Sequence, residues 1–137
     1  MQQFNIVQNA TLPYLEMEVI NDGRHNFNKI YVALQAADVT FNMIDNNNGI
    51  KKIVNKKCNI VPIEGNGCIE KVKVQYQWCK NDTREKGQFK GYFKVSFKDD
   101  IVMEDMMFPK GDLIVPIAEE LIINVISLHI YNIDNNI

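Results

Sequence analysis

Three cysteines and two histidines are the residues in this chain best suited to hold a metal or attack an electrophile. Their spacing argues against both. Nine residues separate Cys58 from Cys68 and ten separate Cys68 from Cys79, whereas structural zinc sites pair cysteines about two to four residues apart. His25 and His129 lie at opposite ends of the chain. Cys79 sits beside Lys80, Arg84 and Lys86, a setting that favours a thiolate. No base accompanies it in the pattern, so an inert thiol is expected. The acidic pairs Asp99/Asp100, Glu104/Asp105 and Glu119/Glu120 are adjacent. On a strand, neighbours point to opposite faces, so these pairs do not converge as a general acid and base. There is no phosphate-binding loop, dinucleotide fingerprint or nucleophile elbow. The reading is therefore of a protein that is not an enzyme, with no catalytic residue, metal ligand or cofactor assigned. Six lysines between Lys51 and Lys73, against Glu64 and Glu70, suit an acidic ligand. They lack the interleaved aromatics on which single-strand binders stack bases. A solvated or protein-facing surface is the preferred reading, without nucleic acid.

The elements that must position these residues are strands. Val72, Val74, Tyr76 and Trp78 alternate with Lys71, Lys73, Gln75 and Gln77. Phe89, Gly91, Phe93, Val95 and Phe97 alternate with Lys90, Tyr92, Lys94 and Ser96. A period of two puts each set on one face of a sheet. The two stretches, joined by the polar loop Cys79–Lys86, are expected to form one hairpin with a dry and a wet face. Phe4–Gln8, Tyr14–Ile20 and Ala37–Ile44 read as strands, and Ile50–Val54 with Lys57–Ile63 as a looser hairpin. Glu64-Gly65-Asn66-Gly67 is a strong turn. Ile101–Phe108 reads as a strand with an irregularity near Glu104–Asp105, and Leu113–Ile117 as an edge or end strand because of Pro116. Phe27–Ala37 is less regular, a short strand or a crossing loop. No stretch makes a convincing helix. The expected fold is all-β, an antiparallel sandwich of about seven to nine strands. Trp78, Phe89, Phe93, Val95, Phe97 and Phe41 are its predicted core.

The chain's 137 residues, 46% hydrophobic and 23% charged, suit one globular domain. The net charge of −2 gives no general reason to expect nucleic-acid binding. It is unevenly placed. Residues 1–98 carry 14 basic and 9 acidic side chains, a net of +5, and residues 99–137 carry one basic and 8 acidic, a net of −7. The acidic part either lies across the basic part of its own chain or meets that of a neighbour. The start, Met1-Gln2-Gln3-Phe4, has neither a basic nor an apolar region of a signal peptide, so free thiols in a reducing compartment are expected. The longest apolar run, Leu121–Ile130, is too short to span a bilayer and holds Asn124, Ser127 and His129, so no membrane is expected. Leu121, Ile122, Ile123, Val125, Ile126, Leu128, Ile130 and Ile133 make this end apolar on both strand faces. Such a strand needs two covers. It either closes the domain's own sheet or is buried in a partner. The organisation expected is a sandwich over 1–117 and an apolar strand or tail over 118–137 that makes intersubunit contact.

From residue 4 to about 117 the ordered signals are an opening strand leading to Thr11-Leu12-Pro13-Tyr14-Leu15, the turn at Asp22-Gly23, and Ala37-Asp38-Val39-Thr40-Phe41-Asn42-Met43. Then come Tyr76-Gln77-Trp78, Asp82-Thr83, Gly87-Gln88-Phe89 and Gly91-Tyr92-Phe93-Lys94-Val95-Ser96-Phe97, closing with Asp99-Asp100 and Pro109-Lys110-Gly111. In this order they resemble the immunoglobulin-like N-terminal domain of phage baseplate upper proteins and related phage virion proteins. Phe27–Ala36 lacks that family's Asp-Leu-Thr-Gly lead-in, and no fused receptor-binding region follows within these residues. The resemblance implies an immunoglobulin-like sandwich serving as a scaffold or assembly subunit of a tail, collar ring or baseplate, located in the virion and assembled in the host cytoplasm. The Asn- and Ile-rich composition suits an AT-rich genome such as that of a crAss-like phage. The partners it implies are other virion proteins (portal, ring, fibre or baseplate subunits) and copies of itself in a symmetric assembly. A head-fibre or head-decoration protein is a variant of this reading. A carbohydrate-binding module for host recognition is the alternative, with Tyr14, Tyr31, Tyr92 and Tyr131 as candidate platforms.

Overall fold

The computed structural model describes residues 2–19, 27–65, 67–103, 106–115 and 120–127. In chain order the elements are β1 (Gln2–Val7), β2 (Leu15–Val19), α1 (Phe27–Gln35), β3 (Asp38–Asp45), β4 (Lys51–Lys57), β5 (Asn59–Gly65), β6 (Cys68–Tyr76), β7 (Gly87–Phe97), β8 (Ile101–Met103), β9 (Met106–Phe108), β10 (Gly111–Val115) and β11 (Leu121–Ile126). A larger sheet runs β1-β11-β7-β3-β4, with β10 also on β7, and a smaller one runs β2-β6-β5. Their inner faces share one core that includes Phe41, Met43, Val72, Val74, Tyr76, Trp78, Phe89, Phe93 and Val95. The fold is an all-β sandwich. Phe97 is half-buried and packs against that core.

Alternation placed the side chains of β6 and β7 correctly but not the strands' partners. The expected hairpin does not form. β6 pairs with β2 and β5, and β7 pairs with β3, β10 and β11. The two dry faces meet across the sandwich rather than lying side by side. The reason lies in the connection, where residues 77–86 include the 3₁₀ turn Lys80–Thr83. That span is long enough to carry the chain from one sheet to the other. The looser hairpin is corrected in the same way. β4 pairs with β3, and β5 pairs with β6. The chain changes sheets at Cys58, whose N–H still bonds Val39 at 2.9 Å while Asn59 already faces Gln75. Ile101–Phe108 is not one strand but the two short arms of a hairpin, β8 and β9.

Two further differences concern element type and direction. Phe27–Gln35 is helical, although the sequence offered only a strand or loop there. Ile30, Ala33 and Leu34 recur at helical spacing, and Ala33 and Leu34 are buried, with α1 against β6, β5 and β3. The larger sheet is mixed rather than wholly antiparallel, because β1 runs parallel to β11.

The core closes over Gly91. A Cβ there would lie 2.9 Å from Cζ and 3.0 Å from Cε1 of Phe41. Phe41 has no exposed surface and is hemmed in by Tyr76, Trp78 and Phe93 at ring distances of 4.8, 5.7 and 5.1 Å. It has nowhere to retreat. Gly91→Ala is therefore expected to destabilise the fold by about 1–3 kcal/mol, the usual cost of overpacking, measured by urea unfolding with an unchanged m-value.

Candidate functional site

Two of the buried polar residues, Asp82 and Thr83, lie at one corner, where β6 gives way to β7, and a third, Asn42, lies on β3. Asp82 and Thr83 are buried in the 3₁₀ turn. The Asp82 carboxylate accepts from the Tyr76 hydroxyl at 2.5 Å and from the Cys79 N–H at 2.8 Å. The Thr83 hydroxyl donates to Ala10 O at 2.8 Å, and Asn9 N–H donates to Thr83 O at 2.9 Å. Gln8 donates to Arg84 O at 2.7 Å. The turn thereby sews the β1–β2 connection to the β6–β7 connection. Trp78 packs beside it, its ring 5.8 Å from Phe4 and 5.2 Å from Tyr76. Gly87 follows at φ 148°, a conformation that favours glycine. Burial, then the Asp82 carboxylate, holds the Tyr76 phenol well above its usual range. Both effects favour the neutral hydroxyl, which bonds Asp82 and so helps pin the corner.

Among the described residues, no three of those suited to hold a metal converge. Cys58 is buried, and Cys68 and Cys79 are exposed; all three are free thiols. Burial pushes the Cys58 thiol up to about 12. Asp100 accepts from the Lys110 N–H at 2.7 Å, stapling a loop. His25, His129, the Glu104/Asp105 pair and Glu119 lie outside the described residues. The lysine-rich stretch is divided between two sheets, Lys51–Lys57 on β4 and Lys71 and Lys73 on β6. Lys52 approaches Glu85 at 4.0 Å and Lys71 approaches Glu18 at 3.7 Å. Lys57 and Lys94 share a shallow groove of about 310 Å³ that Asp38, Thr40, Asn55 and Ser96 also line.

Of the two readings of the apolar C-terminal strand, its described part fits the one in which it closes the domain's own sheet. Leu121, Ile122, Ile123 and Val125 are buried and Ile126 half-buried, in a strand that sits between β1 and β7 of its own sheet. Both of its edges are paired, and three of these side chains, Leu121, Ile123 and Val125, belong to the core. This apolar segment closes the domain, so the sandwich extends to Ile126 rather than ending at 117. Leu128, Ile130 and Ile133 lie outside the described residues. Among the described residues, the two charged parts of the chain meet where Lys90 of β7 bonds Glu120 at 3.1 Å.

What sequence reasoning missed is an edge. β1 borders the larger sheet, and β11 is its one strand partner among the described residues. Gln2 and Gln8 N–H groups bond Glu120 O and Ile126 O, so the even-numbered residues face β11. In a parallel pair the alternate residues turn both backbone groups the other way. Gln3, Asn5 and Val7 therefore face outward, and of their outward groups Val7 O is taken by Ala10 N–H at 3.0 Å. A ladder of side-chain amides leads to this edge across the outer face. Asn46 donates to Gln88 at 2.6 Å, Gln88 to Asn124 at 3.4 Å, and Asn124 to Asn5 at 2.9 Å and Gln3 at 3.5 Å. The run of uncharged Gln and Asn in Gln2–Asn5 was the available signal. No family model, curated protein or solved structure matches the chain.

Two outcomes test the corner. Asp82→Ala orphans the Tyr76 hydroxyl and the Cys79 N–H and is expected to cost about 1–3 kcal/mol for each group, whereas Tyr76→Phe, which leaves the Cys79 bond in place, costs less in the same denaturant titration. A raised folded-state pKa stabilises below the unfolded value and is lost as pH rises. Stability should therefore fall as pH rises from about 9 to about 12 as Cys58 ionises, with Tyr76 adding to the loss above 10. Thermal unfolding across that range should give a shallower decline for Cys58→Ala.

Proposed function

We propose that this chain is a building block of a phage virion, a scaffold or assembly subunit of the tail, collar ring or baseplate that works through protein–protein contact. The observation that carries the reading is the corner. Within the strongest part of the resemblance to the baseplate upper proteins, Tyr76 bonds Asp82 and packs on Trp78, and Thr83 ties the same turn to Ala10. The strand order supports the immunoglobulin-like part of the reading. β2, β6 and β5 stand as B, E and D of a variable-type domain, and β11, β7, β3 and β4 as G, F, C and C′. The partners are other virion proteins and further copies of the chain, in a symmetric assembly. With the 121–126 strand committed to its own sheet, contact falls to other surfaces. These are the β1 edge and the exposed apolar side chains Val102, Leu113 and Ile114.

The carbohydrate-binding alternative has less behind it. Tyr14 precedes β2, Tyr31 lies on α1 and Tyr92 lies on β7, so these three do not share an element. Tyr131 lies outside the described residues. Density-purified particles of the phage that encodes the chain, probed with an antibody raised against it, should carry it at a fixed stoichiometry resistant to high salt. Its absence from intact particles would remove the reading.

A further inference from the structure

We propose that β1 is a self-association edge at which a second copy of this chain adds its own β1, antiparallel, about a two-fold axis at Phe4. The inference deepens the reading of the chain as an assembly subunit and rests on it for its biological setting, though not for its geometry.

Three observations carry it. The first is that the edge is neutral and, among the described residues, open. Natural sheets blunt their edges with charge, proline or brevity, and the edges at β4, β5 and β2 are so treated. β4 carries exposed Lys51, Lys56 and Lys57, β5 carries Pro62 and Glu64, and β2 is five residues long with exposed Glu16 and Glu18. β1 has six residues, no charge and no proline.

The second is that the edge is self-complementary. Gln3 and Asn5 each direct a donor and an acceptor outward, and no described residue bonds them. With two copies antiparallel about Phe4, Gln3 of one faces Asn5 of the other. Both pairs then exchange two backbone hydrogen bonds. Val7, whose carbonyl is already bonded, is not needed. Phe4, half-buried at the rim of the core against Trp78, comes opposite its own copy at the close, non-hydrogen-bonded position, where aromatic pairs add stability.

The third is the amide ladder. It ends at Gln3 and Asn5, on the outer face, with Asn124 already donating to both carbonyls. Their remaining amide donors sit at the rim. In the paired arrangement each Gln3 amide meets an Asn5 amide of the other copy, and the ladder continues from one sheet into the next. A net charge of −2 per chain opposes the approach only weakly.

Sedimentation of the purified full chain tests this. Wild type should show a concentration-dependent species of twice the monomer mass. Gln3→Lys/Asn5→Lys should be monomeric with an unchanged circular dichroism spectrum. Asn5→Pro serves as a second variant, because the Asn5 N–H takes no part in the β11 ladder. In a Cys68→Ser/Cys79→Ser background, a mixture of Gln3→Cys and Asn5→Cys chains should form a disulfide-linked dimer that neither forms alone. A wild-type chain that stays monomeric at the highest soluble concentration would overturn the proposal. So would a dimer that survives both edge variants, or cross-linking equal in the mixture and the single variants. These outcomes are independent of whether the chain is found in particles, so the edge and the virion reading fail separately.

Discussion

The packing of Phe41 over Gly91 is the constraint on which the rest of the sandwich depends. Phe41 is fully buried, and its ring touches aromatic residues from both sheets, Phe93 from one and Tyr76 from the other. It can lie flat against β7 only because position 91 carries no side chain. β7 in turn organises its sheet. β3 pairs along most of one side of it, from Phe89 to Ser96, while β11 and β10 divide the other, facing Gly87–Gly91 and Phe93–Phe97. A shift of Phe41 would therefore disturb the pairing of three neighbours as well as the contact between sheets. Dense interiors transmit such changes rather than absorbing them.

The Asp82 corner solves a different problem, how to pass the chain between sheets while fixing the path of the connecting backbone. Past the end of β6 at Tyr76, the Cys79 N–H lies outside any strand. Asp82 accepts it and holds the Tyr76 hydroxyl with the same oxygen. The bonds from Thr83, Asn9 and Gln8 then fix where β1 must stop. The Ala10 N–H that turns back to Val7 O belongs to this arrangement. The corner thus determines which part of the β1 edge stays open. Stabilising the fold and leaving Gln3 and Asn5 outward are consequences of one set of bonds.

How much of this was legible in the sequence depended on the range of the interaction involved. Period-two alternation is local, and it assigned the inward residues of β6 and β7 correctly, from Val72 to Trp78 and from Phe89 to Val95. Strand pairing is not local. Neighbouring strands with matching alternation look the same whether they pair or face each other, and the expected β6–β7 hairpin failed on that ambiguity. α1 was hidden for another reason. Its nine residues include β-branched Ile30 and Val32 and two aromatics, which weaken helical propensity, and burial of Ala33 and Leu34 against β6 overrides it. The apolar Leu121–Ile126 strand had two readings, a partner's sheet or its own. Only its place between β1 and β7 separates them. The corner was half visible. Tyr76, Asp82 and Thr83 were noticed as a recurring order, but their hydrogen bonds depend on the fold.

The edges show what this sandwich protects and what it leaves available. Lysines on β4 make that edge costly to approach, since an added strand would bury their charge. Proline in β5 removes a ladder donor where a new strand would need one. Neither device is found on β1, and the side chains that could have carried charge there are amides. An amide serves the ladder across the outer face because it both donates and accepts, as Asn124 and Gln88 do. A lysine at position 3 or 5 would set a donor where Asn124 needs an acceptor, and a carboxylate there would accept from Asn124 but carry no donor to extend the ladder. The neutrality of the edge is therefore tied to the polar order of the face behind it. A sheet that keeps this order up to its rim also keeps the rim competent to pair.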